Sequence, residues 1–135
     1  MKYEEFIGEV QRRAQMADRE EAIKATLATL ETLSERLTVR EAEHLAAQLP
    51  TELAAYMQPQ HTGKGESYTL DEFFRRVSER EGKPLADANF HARVVTGLLC
   101  EAVTMGEIQD IRAQLPADFA RLFEVENEGD IPEVE

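Results

Sequence analysis

The chain has 135 residues, of which 42% are hydrophobic, and a formal net charge of -12. That length allows one compact domain or two intimately packed halves, with about two thirds of the unfolded surface buried on folding. The charge repels nucleic acid and anionic membranes, and no basic cluster offsets it, so neither is expected as a partner.

No apolar run reaches membrane-spanning length. An amphipathic pattern begins at Tyr3, so no signal peptide is expected. Cys100 is the single cysteine, so no intramolecular disulfide forms. A cytoplasmic, reducing setting is expected.

In chain order, Tyr3, Phe6, Ile7 and Val10 form one helical stripe, with Glu4, Glu5, Glu9 and Arg12 off it. Asp18 with Glu21 resembles a capping box and starts a helix bearing Ala22, Ile23, Thr26, Leu27, Leu30, Leu33 and Leu37. Thr38 stands three residues before Glu41, a capping-box pattern. Its hydroxyl can cap the first turn while Glu41 reaches back to the threonine amide. Ala42, Leu45 and Leu49 follow at helical spacing, and Pro50 then forces a bend into a short helix with Leu53, Tyr56 and Met57.

Residues 58–67 hold two glycines and a proline without apolar periodicity, and read as a linker. Thr69 and Glu72 start the next helix, whose stripe is Leu70, Phe73, Phe74 and Val77, and Gly82 can end it in a left-handed conformation. Pro84 and Asp87 lead into a helix with Phe90, Val94, Val95, Leu98 and Leu99. Thr104 and Glu107 repeat the cap of Thr38 and Glu41. Gln114-Leu115-Pro116 repeats Gln48-Leu49-Pro50, and a short segment with Phe119, Leu122 and Phe123 follows. From Glu124 to the end there are six acidic residues and no basic ones, and this tail is expected to be disordered or loosely attached.

The recurrence makes the chain an internal duplication. The expected fold is all-α: two tandem homologous four-helix repeats, 1–57 and 68–123, packed as one pseudo-twofold helical domain. The linker spans 58–67 and the acidic tail 124–135. The halves align at a shift of 67 residues early (Arg13 and Arg80) and 66 later (Gln48 and Gln114), so a one-residue gap falls in or next to the second helix.

Little in the pattern points to chemistry. Cys100 follows Leu98-Leu99 on a helix expected to be buried, where a thiol stays neutral and inert. Glu41-x-x-His44 has the spacing used in helical di-metal sites, but the matching span ends in Asp110, so the second histidine is missing. His44 falls off the apolar stripe, facing solvent. His61 lies in the linker, and the neighbouring Arg93 argues that His91 also faces solvent. Gly63-Lys64-Gly65 lacks the length and the preceding strand of a phosphate cradle. No catalytic, cofactor-binding or metal residue is assigned, and no cofactor is expected.

Polar residues that recur in both halves are more informative: Arg13 and Arg80, Glu35 and Glu101, Gln48 and Gln114. The structural reading pairs Arg13 with Glu35 and Arg80 with Glu101, tying the first helix of each half to its own second. It gives the glutamine amides to backbone groups freed at the proline bends. The alternative is a ligand site formed twice.

The residues Tyr3-Glu4-Glu5-Phe6, Val10, Arg13-Ala14, Leu30, Leu33, Glu35-Arg36-Leu37, Glu41-Ala42 and Ala47-Gln48-Leu49-Pro50 carry a family resemblance. It continues with Glu72-Phe73, Val77, Glu101-Ala102-Val103, Gly106-Glu107 and Ala113-Gln114-Leu115-Pro116. With these motifs the chain resembles an uncharacterised bacterial family, domain of unknown function 2267, from Tyr3 to Phe123. Gln15 departs from the pattern, which puts glycine after Arg-Ala. The resemblance implies a small, soluble, all-helical protein and no activity, cofactor or catalytic residue. The functional expectation is a non-enzymatic interaction or scaffold protein with an unknown protein partner. The rival is a small-molecule-binding protein with its site in the cleft between the repeats.

Overall fold

Every described helix after the first begins where the chain supplies a side-chain cap or a proline. In the computed structural model, which describes residues 1–57 and 65–124, the elements are helical throughout. They are α1 (Tyr3–Arg13), α2 (Arg19–Arg36), α3 (Val39–Ala46), α4 (Thr51–Ala54), α5 (Leu70–Glu81), α6 (Leu85–Ala102) and α7 (Met105–Ala113), followed by a 3-10 helix (Ala117–Leu122). No strand occurs among the described residues.

The caps are local and follow the sequence. Asp18 Oδ1 accepts from the Glu21 amide at 2.9 Å. The hydroxyls of Thr38, Thr69 and Thr104 accept from the amides of Glu41, Glu72 and Glu107 at 3.1, 3.2 and 3.2 Å. Each satisfies a donor that the first helical turn leaves unpaired. Pro50 and Pro116 stand immediately before α4 and the 3-10 helix, and Pro84 immediately before α6. Proline has no amide to lose there.

α1 ends with Gln15 at φ 56°, and α5 ends with Gly82 at φ 74°. The Met16 amide returns to the Gln11 carbonyl and the Lys83 amide to the Ser78 carbonyl, at 3.0 and 3.2 Å. This is the left-handed helix stop in which glycine is the unstrained residue. The position where the sequence departs from the family pattern thus keeps the glycine-type backbone.

Helices α1, α2, α5 and α6 form the body. α1 packs on α2 and α6, α5 packs on α6 and α2, and α2 crosses α6. The stripes meet in one core that includes Phe6, Ile7, Val10, Leu30, Leu33, Phe73, Val77, Val95 and Leu98. Phe73 lies edge-on to Phe74 and to Phe119, with centroids 5.9 and 5.6 Å apart. α3 meets α7, α3 also packs on α4, and the 3-10 helix packs on α5 and α6. No described helix is long and apolar enough to cross a membrane.

Residues 58–64 of the expected linker and 125–135 of the expected tail lie outside the described residues. Residues 65–67 fold against the end of α2. The Glu66 amide donates to the Glu35 carbonyl at 2.8 Å. Gly65 has φ 80°, and a Cβ there would lie 2.8 Å from the Arg36 carbonyl oxygen and 2.9 Å from that of Leu37. Glycine is required here for close backbone approach. Beyond it, Tyr68 donates its hydroxyl to the Thr32 carbonyl at 2.7 Å, and Arg76 stacks over its ring at 4.1 Å.

Candidate functional site

The recurring polar residues do meet partners, and apart from Glu9, which Arg13 Nε reaches at 3.0 Å on its own helix, the partners come from the opposite half. Arg13 Nη1 and Nη2 donate to the two carboxylate oxygens of Glu101 at 2.7 and 3.0 Å. Arg80 Nη2 donates to Glu35 at 2.5 Å, and its Nη1 donates to the Thr32 hydroxyl at 2.8 Å. Arg76 adds a third contact, to Glu35 Oε1 at 3.1 Å. The expected pairings Arg13–Glu35 and Arg80–Glu101 are therefore exchanged. α1 and α2 are consecutive, so the last turn of α1, with Arg13, lies at the start of α2, while Glu35 sits in its last turn. α6 brings Glu101 to Arg13 instead.

The glutamines cross in the same way. Gln48 Oε1 accepts from the Thr104 amide at 2.8 Å, and Gln114 Oε1 accepts from the Thr38 amide at 3.2 Å. They serve the N-cap amides of the opposite half, not the proline bends beside them. The reciprocal arm of the capping box is thereby displaced. Glu41 and Glu107 do not take the threonine amides and are left to point between α3 and α7.

There the two carboxylates face each other. Glu41 is 7% exposed and Glu107 6%. Glu41 Oε2 and Glu107 Oε2 have no hydrogen-bond partner, and Gln114 Nε2 reaches Glu41 Oε1 at 3.4 Å. Burial, then the neighbouring Glu41 carboxylate and the charge of Asp110, raise the Glu107 carboxyl to about 8. His44, exposed as the sequence suggests, stands one turn along α3 from Glu41. One donor atom from each of Glu41, His44 and Glu107 lies within 4.8 Å of the others. The sequence signal for this cluster is the Glu-x-x-His, which is incomplete within one half. Its third member comes from the repeated glutamate of the other.

The remaining sequence candidates fall elsewhere. His91 is not on a solvated face: its Nδ1 contacts Glu81 Oε2, and Glu81 is 1% exposed. The pair joins α6 to the end of α5, and neither residue's spacing announces it. Cys100 is half-buried, and burial pushes its thiol up, away from the reactive thiolate. His61 lies outside the described residues. The surface grooves run along other edges, one of about 140 Å³ between Arg112, Leu115, Phe119 and Phe123.

These observations define an all-helical protein whose N-terminal and C-terminal helices cap and ion-pair one another. The chain belongs to the family described as Uncharacterized conserved protein (DUF2267), whose model matches residues 3–122. No curated protein matches it.

Proposed function

We propose that this is a soluble, cytoplasmic, non-enzymatic interaction protein. In this reading it is built from two homologous four-helix repeats, 1–57 and 68–123, related by a pseudo-twofold axis. Its acidic surface engages a protein partner of opposite charge. The observation that carries the proposal is the use made of the repeated polar residues. Arg13, Arg80, Glu35, Glu101, Gln48 and Gln114 all spend hydrogen bonds on the opposite half. Residues kept in both halves that hold the halves together are accounted for without a ligand. The matched helix order, with α2 and α6 at 18 residues each, supports the duplication. The formal charge of -12 and the exposed side chains of Leu85, Phe90 and Met105 supply the surface such a partner would meet.

Affinity capture from a native lysate, with mass spectrometry of both proteins and metabolites, tests this. A basic protein that is retained at low salt and released by about 0.5 M salt supports it. A stoichiometric metabolite recovered without a protein favours the rival reading, a ligand in the cleft between the repeats.

A further inference from the structure

We propose that Glu41, His44 and Glu107 bind one divalent transition-metal cation where α3 meets α7. Glu41 and His44 are three residues apart on one helix and so share a face. Glu107 comes from the first turn of α7. The donor atoms of the three side chains lie within 4.8 Å of one another. Bonds of about 2.0–2.2 Å to a central ion separate neighbouring ligand atoms by roughly 3–4 Å, so a small contraction closes the site.

A cluster of acids is ordinary on an exposed helix, but these two are not exposed. Both glutamates are more than nine-tenths buried, and each has a carboxylate oxygen with no hydrogen-bond partner. A buried, unpaired carboxylate oxygen is costly, and two side by side repel. A dication supplies what both lack, whereas His44 on the exposed side gives the ion a route from bulk water. The donor set chooses the metal class. Calcium and magnesium take oxygen ligands, while imidazole with carboxylates suits zinc, cobalt, manganese or iron. Three protein ligands leave room for water. The ion would clamp α3 to α7 across the same junction that Gln48 and Gln114 span.

The test uses the full chain, stripped with a chelator and titrated with Co²⁺ and then Zn²⁺. The parent protein should take up one equivalent of Co²⁺ saturably, with visible absorption of a nitrogen- and oxygen-ligated ion, and Zn²⁺ should displace it. H44A and E107Q should each bind at least about tenfold more weakly. H61A should bind as the parent does, which separates the site from adventitious histidine binding. H44A alters an exposed side chain and should keep the parent's circular dichroism, so its loss of binding reads the site and not the fold. The melting temperature of the parent, but not of H44A, should rise with Zn²⁺ concentration. No saturable uptake by the parent, or uptake by H44A equal to the parent's, overturns the proposal.

Discussion

Arg13, in the last turn of α1, grips Glu101, near the end of α6, with both terminal guanidinium nitrogens. Arg80 of α5 holds Glu35 of α2 in the matching way. Double-mutant cycles should read this exchange. Glu101 is 47% exposed in its side chain, so the Arg13–Glu101 coupling should be about 0.5 kcal/mol. Arg80–Glu35 is less exposed and shares Arg76, and should couple by about 1 kcal/mol. The cycle on Arg80 and Glu101 should show none. Urea unfolding of the single and double variants measures all three.

Gln15 pays for a glycine-type helix end without being glycine. Its φ of 56° costs an L-residue about 1 kcal/mol, and glycine removes that cost. Gln15→Gly should therefore raise the denaturation midpoint by an amount equivalent to about 1 kcal/mol. Gly82→Ala should lower it by a similar amount.

Gly65 tests the close approach at the end of α2. Alanine there would press its Cβ on the Arg36 and Leu37 carbonyls and hold a left-handed φ. A loss of about 2 kcal/mol is expected in the same unfolding assay. Gly8→Ala, in the exposed middle of α1 with open space around a Cβ, should instead stabilise by about 1 kcal/mol.

Thr38 and Thr104 each accept an amide hydrogen bond in the first turn of their helix. Thr38→Ala and Thr104→Ala should each cost about 1 kcal/mol. Midpoints unchanged from the parent in both variants would argue against capping as their role.

Glu107 gives stability a pH dependence. Its carboxyl rises from an ordinary 4.5 to about 8 in the folded chain, first through burial and then through Glu41 and Asp110. Between those values the folded protein keeps a proton that the unfolded chain releases. This contribution is therefore full below the unfolded value and is lost as pH rises through the folded one. With a chelator present, E107Q mimics the protonated acid and should lack this loss. Its stability relative to the parent should grow from about pH 5 to about pH 9 in paired urea titrations.

The helices were legible because their signals are local. Asp18, Thr38, Thr69 and Thr104 cap within their own first turn, and Pro50, Pro84 and Pro116 mark starts by lacking an amide. The stripes of Phe6, Ile7 and Val10 and of Phe73, Phe74 and Val77 follow from helical spacing alone, as does their burial. The recurrence of Arg13, Glu35 and Gln48 at Arg80, Glu101 and Gln114 likewise singled out residues that bond across the two halves. Their partners were not in the sequence, because a repeated residue can serve its own half or the other with equal local chemistry. Only the packing of α1 on α6 and α5 on α2 decides for the other. The same holds for Glu41 and Glu107. Within one helix each looks like the return arm of a capping box. Once Gln114 and Gln48 occupy the threonine amides across the α3–α7 junction, the two carboxylates are turned toward each other and buried together. That desolvation is a property of two surfaces meeting, which no spacing within a single helix records.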